Sequence, residues 1–240
     1  MKIVKFYATT LAVFALTLLL TDVPALAQQL RGNGKIITQE RQVSGFTGIE
    51  IGGGFQVEVS KGSKEGVRLE VEENLMDRVK TEVKDGVLHI YNDGGITTSK
   101  GMKAYITVKD LNKVGVSGGV KLTGKSTFKA NTFELDLSGG SKIALAIDTK
   151  KLKADMSGAS KVDLAGKADE VEMDMSGASS VDAEELETKR MKIGASGASK
   201  VKVYAKESLD ISASGASSVQ YKGSPNITSD VSAAARISKL

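Results

Sequence analysis

From residue 114 onward, apolar and polar residues alternate in short runs that stop at a small-residue corner and then resume. The corner is Ser-Gly-[Ala/Gly]-Ser or a close relative. It begins at Ser117, Ser138, Ser157, Ser176, Ser196 and Ser214, with Gly118, Gly139, Gly158, Gly177, Gly197 and Gly215 second in each. A worn copy, Ser232-Ala233-Ala234-Ala235, follows, and the intervals are 21, 19, 19, 20, 18 and 18 residues. The residue before each corner is Val116, Leu137, Met156, Met175, Ala195, Ala213 or Val231, and five residues after each corner Ser stands Leu122, Ile143, Val162, Val181, Val201, Val219 or Ile237. Period-two alternation on both sides of a corner is the pattern of strands with one buried face. A glycine in every unit argues against helix, where each costs about 1 kcal/mol.

One supersecondary unit per coil, with like residues returning to like places, predicts an all-β solenoid, a right-handed parallel β-helix with coils of 18 to 21 residues. Coils stack about 4.8 Å apart, so seven make a rod section of about 30 Å. Glycine supplies the positive φ of a sharp corner, and the serine hydroxyls serve corner backbone groups that the sheets leave unpaired. The corner residues Ser117, Gly118, Ser138, Gly139, Ser157, Gly158, Ser176, Gly177, Ser196, Gly197, Ser214 and Gly215 are therefore assigned a structural role.

Residues 28–116 carry a looser version. Ile49, Ile51, Phe55, Val57 and Val59 alternate around Gly52-Gly53-Gly54, and Ile49, Val67, Leu88 and Ile106 are spaced by 18, 21 and 18 residues. That spacing is near one coil, so the organisation expected is a lead-in or cap over 28–45, irregular coils over 46–116 and regular repeats over 117–240. Glu73–Val79 suits either a helical turn or a loop.

The run Arg41-x-Val43-x-x-Phe46-x-x-Ile49-Glu50-Ile51, then Phe55-x-Val57-x-Val59, Glu73-Asn74-Leu75, Asp85-Gly86-x-Leu88-x-Ile90 and the Ser-Gly-Ala-Ser series resembles one family. It is the putative auto-transporter adhesin head GIN domain family, exported proteins common in Bacteroidota. The resemblance covers about residues 40–240 and implies a β-helix-like envelope protein, with no catalytic residues to carry over. The final unit departs from it, since Ser-Ala-Ala-Ala replaces the glycine-containing corner.

The start of the chain is an address. Lys2 and Lys5 precede an apolar run from Phe6 to Leu20, and Ala25 and Ala27 form a small-x-small ending. This matches a secretory signal peptide over residues 1–27, and the apolar run is short of the roughly 20 residues that span a bilayer. No later segment is apolar enough to span. Localisation is expected in the periplasm, on the outer-membrane surface or outside the cell. Loss of Lys2, Lys5 and Asp22 takes the net charge from +4 to +3, with charges interspersed, unlike a nucleic-acid binder.

Composition removes much chemistry. With no Cys and one His among 240 residues, disulfides, thiolate sites and multi-His metal sites are excluded. Aromatic residues at 5% argue against stacking platforms for sugars or single strands. His89 alternates with Leu88 and Ile90, which puts it on the solvated face. Met156, Met173, Met175 and Met191 fall at inward positions as core filler. Asp136, Asp155 and Asp174 share one repeat position and should stack, interrupted by Gly115, Gly194 and Ser212; Lys142, Lys161 and Lys200 are expected to neutralise them. No catalytic residue, metal ligand or cofactor is assigned.

The function expected is that of a non-enzymatic adhesin-like envelope module presenting its ladder to a protein, a glycan or a further copy through the solenoid ends. The alternative is a lyase-like enzyme acting on polysaccharide. A flat polar ladder would favour the first, and two carboxylates gathered with a Lys or Arg in a concave groove would favour the second.

Overall fold

The computed structural model describes residues 29–232 and 234–240; the expected signal peptide and Ala233 lie outside the described residues. The alternating stretch winds into a parallel β-solenoid of about seven turns, with coils about 19 residues apart. Lys142–Gly158 lies on Lys161–Gly177 with Ile143 opposite Val162, Leu152 opposite Val171 and Ala154 opposite Met173. The ladder continues through Ser180–Ala195 to Lys200–Ala213. Because each internal coil has a neighbour above and below, its inward residues are sealed: Ile143, Ile147, Leu152, Met156, Met173, Met175 and Met191 are all buried. Each such aliphatic side chain contributes about 1.5–3 kcal/mol on burial, against roughly 1–2 kcal/mol of backbone entropy per ordered residue.

The N-terminal part departs from simple succession. Gly48–Gly53 lies between Lys113–Gly118 on one side and Val87–Asn92 on the other, parallel to both. Phe55–Lys61 lies likewise between Lys121–Leu137 and Met102–Val108. The chain thus lays one coil, leaves it to build the end of the stack, and returns to begin the regular repeats on that coil's free side. Of the spaced positions, Ile49 opposes Leu88 directly, whereas Val67 faces Ile106 across an antiparallel pair.

Antiparallel strands finish this end. Gly66–Glu72 runs against Met102–Val108, and Ile36–Arg41 pairs on its outer side. Asp85 and Gly86 take φ of 52° and 75°, the left-handed pair that a tight hairpin needs, and fold Val79–Lys84 back on Val87–Asn92. Between Gly66–Glu72 and Val79–Lys84, Glu73–Arg78 is a 3-10 helix that buries Leu75 and Met76.

Glu72 is a buried carboxylate that ties the first described residues down. It accepts bonds from the Gly34 N–H at 2.7 Å, the Ser99 N–H at 3.0 Å, the Thr98 hydroxyl at 2.5 Å and the Ser99 hydroxyl at 2.6 Å. These donors, Ser99 foremost and then Thr98, hold its pKa down at about 2. At the other end the glycine-free unit still turns: the Ala235 N–H donates to the Ser232 carbonyl at 3.0 Å, and Arg236–Lys239 resumes pairing on Ser218–Lys222.

Candidate ligand-binding groove

The two serines of the corner differ in exposure. In five of the six glycine-bearing units the fourth residue is a buried serine, Ser141, Ser160, Ser179, Ser199 or Ser217, and in the first it is the buried Val120. Ser141 donates to the Gly118 carbonyl at 3.1 Å and Ser217 to the Ser214 carbonyl at 2.9 Å, satisfying groups inside the bend. The leading serines Ser117, Ser138, Ser157, Ser176, Ser196 and Ser214 are exposed and line a groove along the solenoid, and Ser138, Ser157 and Ser196 also donate to the Val116, Leu137 and Met175 carbonyls at 3.5, 3.4 and 3.2 Å. Between the two, the glycines stack in register, with Gly158 directly opposite Gly177. Their φ values are 94° and 95°, and a Cβ on Gly158 would come within 2.5 Å of the Gly139 carbonyl oxygen.

The groove encloses about 940 Å³ and runs from His89 and Tyr91 to Ser212 and Ser214. At about 4.8 Å per coil this is roughly 30 Å of length. Two parallel columns make its floor, two residues apart on each strand and so on the same face. One is the leading-serine column. The other runs in register through His89, Glu50, Gly115, Asp136, Asp155, Asp174, Gly194 and Ser212.

The expected stack of Asp136, Asp155 and Asp174 is present, but its neutralisation is not by Lys142, Lys161 and Lys200. Those lysines lie beyond the corner at the start of the following strands, where Lys121, Lys142 and Lys161 form a like-charged column of their own. The corner therefore separates an acidic stripe from a basic one. Flanking the acidic stripe on its other side, two residues earlier, Lys113, Glu134, Lys153, Glu172, Lys192 and Asp210 oppose one another in alternating sign. This column was missed in the sequence, although reading position three before each corner serine's predecessor would have found it.

One end of the groove gathers ionisable groups. Lys113 Nζ lies 2.8 Å from Glu50 Oε1 and 3.8 Å from Asp136 Oδ2, and His89 Nδ1 lies 3.4 Å from Glu50 Oε2. His89 thus has a partner that no sequence motif announced, because Glu50 and His89 meet only through the interleaved coil order. The hydrogen bond to Glu50 pushes the Lys113 pKa above the ordinary lysine value, so the ammonium stays charged and is a poor proton acceptor. Among the described residues, no three His, Cys, Asp or Glu side chains converge as a metal site. A second hollow of about 670 Å³, around Lys129, Asp148, Asp169 and Lys189, is already satisfied by the pairs Lys129–Asp148 at 3.4 Å and Lys189–Asp169 at 2.6 Å.

The fold recurs in solved structures. A putative adhesin from Bacteroides fragilis superposes with a TM-score of 0.83 at 22% identity, over 88% of this chain and 100% of that one. A putative lipid binding protein from Parabacteroides distasonis gives 0.70 at 21% identity, over 89% and 100%. A putative adhesin from Parabacteroides merdae gives 0.68 at 19%, over 88% and 99%. No curated protein matches the chain. Among the described residues no helix is long and apolar enough to cross a membrane. The family model for the putative auto-transporter adhesin, head GIN domain, matches residues 45–225, a span holding the first coil, the groove and every glycine-bearing corner, and the chain belongs to that family.

Proposed function

We propose that this protein is an exported, non-enzymatic, adhesin-like surface module whose groove holds an extended polymer along the solenoid axis, a neutral or amino-bearing glycan before others. The observation that carries this is the groove itself: equivalent serines offered once per coil over the whole regular stack, beside acidic side chains on three successive coils. An extended peptide advances about 3.3 Å per residue and so drifts out of step with the coil spacing of about 4.8 Å. Hydroxyls and carboxylates are the groups that hydrogen-bond sugar hydroxyls. The Asp136–Asp155–Asp174 stripe repels a polyuronate. With Tyr91 the groove's one aromatic residue, binding rests on many weak polar contacts and grows with ligand length. The family membership supports a surface role, and the small-residue ending at Ala25 and Ala27 supports export.

The lyase-like alternative has one observation in its favour, the meeting of Glu50, Asp136 and Lys113 in a concave groove. Against it stands the raised pKa of Lys113, opposite to the shift a proton-abstracting lysine needs. The test is a panel of immobilised neutral, amino-bearing and uronate glycans, incubated with the purified chain and Ca²⁺. Retention on the first two classes without released fragments is the expected result. Released oligosaccharide that Lys113→Ala abolishes would replace the binding module by an enzyme.

A further inference from the structure

At the C-terminal end of the stack Arg236–Lys239 covers the Ser218–Lys222 side, and no described residue covers the side formed by Asn226–Val231. Asn226–Val231 pairs with Lys200–Ala213, with Ile227 opposite Leu209 and Val231 opposite Ala213. Leu209 and Ala213 are 0% and 3% exposed, whereas Ile227 and Val231, in the same inward columns one coil on, are 41% and 38% exposed. The backbone edge is open as well. The Ser232 N–H donates to the Ala213 carbonyl, and the two-residue alternation of a parallel ladder points Asp230 and Thr228 the same way. The N–H and C=O groups of Ile227, Ser229 and Val231 therefore face outward along the edge.

The opposite end is finished differently. Its outermost strands, Ile36–Arg41 and Val79–Lys84, are antiparallel and carry Glu40, Arg41, Lys80, Glu82 and Lys84. Such charges blunt an edge against pairing. At the C-terminal end Arg236–Lys239 carries Arg236 and Lys239, but Asn226–Val231 has one charge, Asp230, and no proline.

We propose that the C-terminal edge is an interface with a second copy of this chain, joined about a two-fold axis, Asn226–Val231 pairing antiparallel with its counterpart. Centred on Ser229, the register sets Ser229 against Ser229 and Ile227 against Val231 of the second copy, twice by symmetry. These three residues are the ones whose backbone groups face outward, so each pair is of the kind that exchanges hydrogen bonds. The exposed inward side chains then meet across the junction and continue the core. Asp230 falls opposite Thr228, so no like charges are opposed. A head-to-tail union would press this edge on the charged antiparallel end and grow an open filament; the two-fold arrangement closes at two.

The test is the molar mass of the chain without its signal peptide, by sedimentation and light scattering over a concentration series. Ser229→Pro removes an outward N–H and leaves the ladder to Lys200–Ala213 intact; Ile227→Lys places a charge in the junction. A dimeric mass for the unaltered chain, falling to monomeric in both variants with an unchanged strand spectrum, is the expected result. A monomer at every concentration, a polymer without an endpoint, or a dimer that survives either substitution would overturn the proposal.

Discussion

Gly177 sits over Gly158 with no room between them for a side chain: a Cβ on Gly177 would overlap the Gly158 carbonyl oxygen. The relation repeats up the corner, since Gly197 meets Gly177 and Gly215 meets Gly197 in the same way. Glycine is needed twice over, for its positive φ and for this approach. Gly177→Ala combines a left-handed alanine, about 1–2 kcal/mol, with the overlap, so the loss should reach about 2 kcal/mol or more. Thermal melting should show Tm lowered by roughly 4–8 °C. Gly140→Ala is the control, because its Cβ meets open space and Ala159 and Ala178 stand at the equivalent place. It should stay within about 0.5 kcal/mol of the unaltered chain.

Glu72 gives the N-terminal clasp a defined acid sensitivity. Its folded pKa of about 2 lies below the ordinary glutamate value of 4.5. A depressed carboxylate contributes stability that is fully present above its unfolded pKa and is lost as pH falls through the folded one. Stability should therefore decline between about pH 4.5 and pH 2, with the segment around Gly34 and Ser99 becoming protease-sensitive first. Glu72→Gln should be less stable at neutral pH and lack this part of the decline. Identical pH profiles for the two chains would refute the assignment.

The stacked Asp136, Asp155 and Asp174 set like charges directly opposite one another, an arrangement that costs stability. Asp155→Asn keeps the shape and relieves two repulsions, so it should raise stability by about 0.2–1 kcal/mol while weakening retention on neutral glycan. Gain in one measurement with loss in the other is the mark of a residue kept for binding. A loss in both would make Asp155 a structural residue.

In the neighbouring column Lys153 lies between Glu134 and Glu172. Lys153→Glu places three carboxylates in a row and should lower stability by about 0.2–1 kcal/mol, an effect that added salt reduces. Melting at low and high ionic strength checks both parts.

The regular stack was legible because its evidence is local and repeated. Gly158, Gly177 and Gly197 recur at near-constant spacing, and the alternation on each side fixes which residues point inward. The N-terminal order was not legible, since alternation around Ile49 and Leu88 says that both are strands and nothing about which coil lies on which. The turn at Asp85-Gly86 did carry a hairpin signal in its residue types, and it is this hairpin that breaks the succession of coils. The site was half readable. The acidic column follows from the repeat, but the meeting of His89, Glu50 and Lys113 depends on coil order. That Ser157 is exposed and Ser160 buried depends on which way the corner curls, which composition does not encode.

Equivalent positions of successive coils are proposed to act together on one extended ligand. Calorimetric titration with linear neutral oligosaccharides of increasing length tests it most directly. Affinity should rise with each added sugar until the groove is spanned and then level off, and Ser157→Leu with Ser176→Leu should abolish the rise. Affinity that is indifferent to length, or undiminished when those two serines are replaced, would show that the coils do not act together.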